Sequence, residues 1–268
     1  MPRNRVLTVF LFVFFCCFTI NVQAQLRKEL QYIKDAYPDS IQSVEPNSIT
    51  WKDGSQMAIR NSLFNELFNS VNYYSENTSK SISIKDLQCD TYEPFFKKMY
   101  GRTPQEVKKH LVTIYWMPER FGNLYPLKVT TVNGVDKKLQ RISAELEKLP
   151  VSYNKYLAKP EGAFYWRRVA GEPYLSSHSF GIAIDINARN ANYWLWDWLR
   201  ARRSGSIFIY HNNIPMKIVE IFEKEGFLWG GRWRFYDTMH FEYRPELFTH
   251  KTGMFAQYNH ELGQRCNA

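Results

Sequence analysis

Cysteine is scarce in this chain: there are four, and two of them, Cys16 and Cys17, fall inside an apolar N-terminal run. That leaves only Cys89 and Cys266, far apart, which excludes a disulfide-dense scaffold and a cysteine-rich zinc finger. An oxidising compartment would permit one bridge between them. Long apolar runs are also missing. Val6 to Ile20 is the longest, and it is shorter than the about 20 residues that span a bilayer, so a polytopic membrane protein is excluded. No internal repeat, low-complexity tract or heptad pattern occurs, which removes solenoids and coiled coils. Acidic residues are outnumbered by basic ones, 26 to 35, for a formal charge of +9. Such a surface attracts anionic polymers, and outside the cytoplasm these are cell wall or lipid head groups more than nucleic acid.

What remains is globular in character, with 44% apolar and 23% charged residues among 268. Arg3 and Arg5 precede the apolar run, and Val22-Gln23-Ala24 offers small residues where a signal peptidase cuts. Met1 to Ala24 is therefore expected to be a cleaved secretion signal, giving a periplasmic or extracellular protein with no stable membrane insertion after cleavage. Residues 25–109 are expected to form an N-terminal extension, 110–252 a catalytic domain and 253–268 a tail.

From Gln25 to about Lys80 the sequence is polar and mixed and suggests an irregular or helical lead-in, with turns at Tyr37-Pro38-Asp39-Ser40 and Lys52-Asp53-Gly54. Thr103-Pro104-Gln105-Glu106 predicts a capped helix start, with Glu106 reaching back to the cap amide. Leu111 to Met117 and Leu127 to Val132 are predicted strands. Val135, Leu139, Ile142, Leu146 and Leu149 form one helical stripe, capped by Asn133 and stopped before Pro150. A second helix is predicted over Pro215 to Glu225, ended by Gly226. Strands are predicted at Gly181 to Asn187, Ile207 to Tyr210 and Met239 to Tyr243. Mixing without a βαβ rhythm indicates an α+β fold with a small, mostly antiparallel sheet and flanking helices.

Chemistry concentrates in two segments. In Ser176-Ser177-His178-Ser179-Phe180-Gly181-Ile182-Ala183-Ile184-Asp185-Ile186-Asn187, the three isoleucines share one strand face and Ala183 and Asp185 the other. Gly181 permits a turn that brings His178 to the side of Asp185. In Asp237-Thr238-Met239-His240-Phe241-Glu242-Tyr243, His240 and Glu242 share a face and Asp237 lies on the turn before them. Two histidines and one aspartate suit a single Zn²⁺ ion that keeps a position for water. Asp237 is the carboxylate best placed to accept a proton from that water, and Glu242 is placed to orient a ligand histidine. His110, His211, His250 and His260 lack a partner pattern. The aromatics Tyr193, Trp194, Trp196 and Trp198 suit either a groove for glycan or peptide or plain core packing, and Arg200 to Arg203 the solvated end of a helix.

Ser-x-His-x-x-Gly-x-Ala-x-Asp at 176–185, followed by Asp-x-x-His-Phe-Glu at 237–242, resembles the zinc D-Ala-D-Ala carboxypeptidase and L-Ala-D-Glu endopeptidase family of peptidoglycan hydrolases. Phe164-Tyr165-Trp166-Arg167 and Trp229-Gly230-Gly231-Arg232-Trp233 extend the likeness. The resemblance implies the hedgehog/D-Ala-D-Ala-peptidase-like zinc fold, with His178, Asp185 and His240 as zinc ligands and Asp237 as acid/base. It implies Arg167, with Arg168 as the neighbouring alternative, as the arginine that contacts substrate and opposes negative charge, and Ser176 as a substrate-holding serine. The implied partners are peptidoglycan or its stem peptides, met by a monomer. The alternative is a non-catalytic, zinc-containing peptidoglycan-binding or sensing protein of the same fold.

Overall fold

The computed structural model describes residues 31–58 except 32 and 46, residues 93–169, and residues 173–248 except 234. The expected signal at Met1 to Ala24, both mature cysteines and the tail at 253–268 lie outside the described residues. The chain divides into two compact units, Met1–Asn61 and Ser62–Ala268.

In the first unit a helical turn ends at Ala36, and both expected turns are present. The lead-in is not irregular, however: β1 (Ile41–Glu45), β2 (Ser48–Trp51) and β3 (Gln56–Ala58) form an antiparallel meander in the order β1-β2-β3. Its strands are short and mostly polar, so no alternation over four to eight residues marks them in the sequence. Ile41, Ile49 and Trp51 supply the buried face.

The second unit is α+β. It contains α1 (Glu93–Tyr100), α2 (Pro104–Lys108), β4 (Leu111–Tyr115), α3 (Pro118–Phe121), β5 (Pro126–Thr130), α4 (Val135–Glu147), α5 (Asn154–Leu157), β6 (Ala183–Asp185), α6 (Trp194–Ser204), α7 (Met216–Lys224), β7 (Phe227–Trp229) and β8 (His240–Tyr243). β4 and β5 pair as one antiparallel ribbon, and β6, β8 and β7 form a three-stranded antiparallel sheet with β8 in the centre. The predicted stripe of α4 is buried at Val135, Leu139, Ile142 and Leu146, and α7 buries Ile218, Val219 and Phe222. Phe222 stacks on Phe241 of the central strand at 3.9 Å between ring centres, and Trp116 and Phe227 close around it. One face of the small sheet is thereby fixed on the core, which leaves the other to carry chemistry.

Three local expectations shift. Thr103 caps α2 as foreseen, but Glu106 accepts from the amide of Arg102, one residue before the cap (2.7 Å). Asn133 does not cap α4: it takes a left-handed conformation (φ 57°) in a 3-10 turn and its amide donates to Tyr100 Oη at 3.3 Å. The apolar run Ile207 to Tyr210 is not a strand and pairs with none among the described residues; it is an exposed, irregular connection.

Candidate metal centre

Sheet register brings the first two donors together. Asp185 on β6 is the direct antiparallel partner of His240 on β8, and paired residues project side by side on one face. The isoleucine face of the β6 segment is fully buried while Asp185 turns toward the opposite side, as the alternation required. His178 arrives from a 3-10 turn, Ser177–Phe180, whose N-cap Ser176 accepts from the His178 amide. That turn ends on Gly181 at φ 68°. A Cβ at Gly181 would stand 2.7 Å from Leu111 Cδ2 and 3.1 Å from the Thr130 amide. Only glycine lets the turn approach the β4–β5 ribbon this closely. Phe180 seats the turn against Phe96 and Tyr100 of α1.

The donor atoms converge on one point. His178 Nε2 lies 3.1 Å from Asp185 Oδ1 and 3.2 Å from His240 Nδ1, and His240 Nδ1 lies 2.9 Å from the same carboxylate oxygen. Each imidazole is oriented by its other nitrogen. His178 Nδ1 lies 2.6 Å from the Ala163 carbonyl, which accepts only, so that nitrogen carries the proton. His240 Nε2 lies 3.2 Å from Glu242 Oε2 and 3.3 Å from Ser177 Oγ. His178 Nε2 and His240 Nδ1 are thus the nitrogens turned toward Asp185, where their lone pairs would be offered to a cation, the outer-sphere arrangement typical of metal-ligating histidines. Among the described residues this is the group of donors close enough to share an ion.

The charges fit a cation. Burial alone would raise the Asp185 carboxyl, but hydrogen bonds and charge from His178 and His240 hold it well below the usual carboxylate range. Burial likewise opposes a charge on His240, yet its bonds to Asp185 and Glu242 raise it to about 10. Glu242, whose burial is outweighed by His240 and Arg244, falls to about 2. Arg244 Nη1 donates to Glu242 at 3.0 Å and Arg244 Nε to Glu246 at 2.5 Å, so a buried line of alternating charge runs from the core to His240. In the absence of an ion a proton on His240 balances the two acids; a divalent cation replaces it.

Asp237 stands beside this cluster. Its Oδ1 is buried with no hydrogen-bond partner, and burial pushes its carboxyl up to about 6, against the pull of His240. The Gly230-Gly231 turn sets its position: Gly230 accepts from the Asp237 amide at 3.0 Å, and a Cβ on Gly230 would stand 2.6 Å from the Asp237 carbonyl. Gly231 has no room for a side chain because the Trp229 ring covers it. Arg167 is placed by its main chain, which bonds to Ser176 and to Ser179 Oγ, while its guanidinium is exposed and donates to the Arg168 carbonyl at 3.3 Å. Arg168 is also exposed and its main chain bridges to Leu175. Ser176 is buried, its hydroxyl engaged in the His178 cap.

Ala163, Ser177 and Tyr193 join the surroundings without having been singled out for it by the motifs. Tyr193 bridges to Asp237, and both Asp237 and Arg167 influence its hydroxyl. A carbonyl and a lone serine carry no sequence signal of this kind. Tyr193 was legible only as one of several aromatics.

Two histidines and a carboxylate, with a second carboxylate at hand that has one oxygen unpartnered, form a donor set that could hold a single metal ion. Residues 170–243 match the family model described as D-alanyl-D-alanine carboxypeptidase, the family that the motifs resemble. The matched stretch contains Ser176, His178, Asp185, Asp237 and His240. No curated protein and no solved structure matches the chain. Among the described residues no helix is long and apolar enough to cross a membrane.

Proposed function

We propose that the protein is a secreted zinc metallopeptidase that hydrolyses peptide bonds next to D-amino acids in peptidoglycan stem peptides, as an L-Ala-D-Glu endopeptidase or a D-Ala-D-Ala carboxypeptidase. The observation that carries this reading is the convergence of three donor atoms beside a buried carboxylate oxygen that has no partner of its own. His178 Nε2, Asp185 Oδ1 and His240 Nδ1 would hold the ion, and nitrogen and oxygen donors in this number suit zinc. When bound, zinc supplies Lewis acidity toward water and a peptide carbonyl.

The chain's own groups do the rest. Asp237 takes the proton of the attacking water as its oxygen bonds to the carbonyl carbon, then gives it to the nitrogen as the C–N bond breaks. A carboxyl raised to about 6 suits both halves of that transfer near neutral pH. Arg167, on the loop tied to Ser176 and Ser179, is exposed to meet substrate and opposes the negative charge that develops on the carbonyl oxygen. Ser176 fixes the turn that carries His178, and the family likeness assigns it to holding substrate. The test is incubation of the purified protein with muropeptides, with and without a chelator, and mass analysis of the products. Chelator-sensitive loss of a terminal alanine identifies the carboxypeptidase, and a cut between the first two stem residues identifies the endopeptidase. Intact substrate with zinc present overturns the proposal.

A further inference from the structure

The connection after α6 exposes more apolar surface than any packing need explains. Every residue from Arg202 to His211 is exposed, including four consecutive large apolar ones. They alternate. Phe208 and Tyr210, each 36% exposed, lean on the ring of buried Tyr236, at 6.1 Å stacked and 4.8 Å edge-on. Ile207 and Ile209, 86% and 54% exposed, point away from the protein. The segment is anchored: Tyr236 Oη donates to Asp197 Oδ2 at 2.6 Å and reaches the Ile209 carbonyl at 3.4 Å. Two isoleucine tips are thus held out to solvent on a fixed base, at a cost in exposed apolar area that a monomeric surface ordinarily avoids.

The exposed charge of this stretch is of one sign. From Tyr193 to His211 the sole acidic residue is Asp197, which is buried under Tyr236 and 3.6 Å from Arg200 Nη1, while the side chains of Arg200, Arg202 and Arg203 are exposed. Arg200 and Arg203 flank a shallow cleft of about 500 Å³ whose other walls are Trp196, Leu199 and Ser204. Trp196 is itself 47% exposed. An apolar floor between two guanidinium groups suits a phosphate-bearing head group with its glycerol and upper acyl carbons. Aliphatic prongs next to an arginine cluster and an exposed tryptophan are the composition of an interfacial membrane contact. A glycan would stack on Trp196 but has no use for aliphatic isoleucines.

We propose that α6 and the following connection form a docking surface for an anionic phospholipid membrane, with Arg200 and Arg203 on the head groups and Ile207 and Ile209 entering the interface. The surface adjoins the metal centre through chain continuity. Tyr236, its base, directly precedes Asp237, and Trp196 packs on Tyr193, the bridge partner of Asp237. Docking therefore holds the cleft close to a leaflet.

The test is amide hydrogen exchange over residues 202–211 of the purified chain, with vesicles of phosphatidylglycerol and phosphatidylcholine, of phosphatidylcholine alone, and with a soluble anionic polysaccharide. Only this segment is read, so any membrane contact made elsewhere in the chain does not contribute. Exchange slows at least fivefold with the anionic vesicles and stays unchanged with neutral ones. Each surface arginine contributes about fivefold to binding, so Arg200→Glu with Arg203→Glu abolishes the protection, and Ile207→Ser with Ile209→Ser reduces it at unchanged melting temperature. Unchanged exchange with anionic vesicles, or equal protection by the polysaccharide, overturns the proposal. None of the four residues belongs to the proposed catalytic set, so both double variants hydrolyse a soluble stem peptide at the wild-type rate. Failure of docking thus leaves the proposed hydrolysis untouched.

Discussion

Replacing Glu242 by glutamine removes one negative charge from behind His240 while keeping size and a hydrogen-bond acceptor. Both carboxylate oxygens are in use, Oε2 at 3.2 Å from His240 Nε2 and Oε1 at 3.0 Å from Arg244 Nη1. With a divalent ion on two neutral imidazoles and Asp185, the centre carries one net positive charge. Glu242, Arg244 and Glu246 together carry one negative charge that offsets it, and Asp237 adds another when ionised. In the variant that compensation is lost in a place water does not reach. Partners of this kind are worth 10- to 100-fold in metal affinity, or about 1.4 to 2.7 kcal/mol. The expected result is a zinc dissociation constant raised by that factor, measured by competition with a chromophoric chelator, at full metal stoichiometry once zinc is in excess. Glu242→Asp, which retains the charge but shortens the reach, should recover part of the loss. A dissociation constant within twofold of wild type would refute the orienting role, even if the melting temperature fell.

Asp237→Asn should keep its zinc and lose 10²- to 10⁴-fold in kcat, seen as metal-replete protein that leaves muropeptides intact. In the wild type the proton-accepting form of Asp237 prevails above its pKa of about 6. The pH–rate profile should therefore fall on the acid side, at or below that value because a bound cation favours the ionised form. A rate that stays flat from pH 7 to pH 4 would contradict it. Gly230→Ala places a methyl group 2.6 Å from the Asp237 carbonyl, so peptidase activity should drop with zinc affinity little changed, as isothermal titration would report. Arg232→Ala strands Glu223, now bound at 2.5 and 2.8 Å by a guanidinium that is 4% exposed. Because Glu223 is only part-buried, the loss should fall at the low end of the buried-pair range, about 3 kcal/mol, to be read from urea unfolding.

The donor cluster was legible because its two halves are local. A histidine one tight turn before a strand, and a strand whose odd and even residues differ in kind, can be read without knowing what they touch. The isoleucine face, the Asp185 face and the α4 stripe all follow from periods of 2.0 and 3.6 residues. What the sequence did not yield depends on distant partners. The Asp185–His240 pairing spans 55 positions, and the Ala163 carbonyl that orients His178 is invisible as a side-chain signal. The 41–58 meander lacks apolar alternation, and Ile207 to Tyr210 has the composition of a strand but packs Phe208 and Tyr210 on Tyr236 instead. Asn133 had the chemistry of a helix cap, but its amide is drawn to Tyr100 and the backbone turns left-handed instead.

Cross-strand adjacency of Asp185 and His240 would make a bound ion a reporter on the sheet itself. Side chains alternate at every step, so a slip of β6 against β8 by a single position would turn the aspartate into the isoleucine layer and leave His240 opposite an aliphatic side chain. A chain mispaired in this way has two imidazoles and no acid to close the shell. Metal capture would then act as a proofreading step, retaining correctly zipped molecules and leaving the misaligned ones empty.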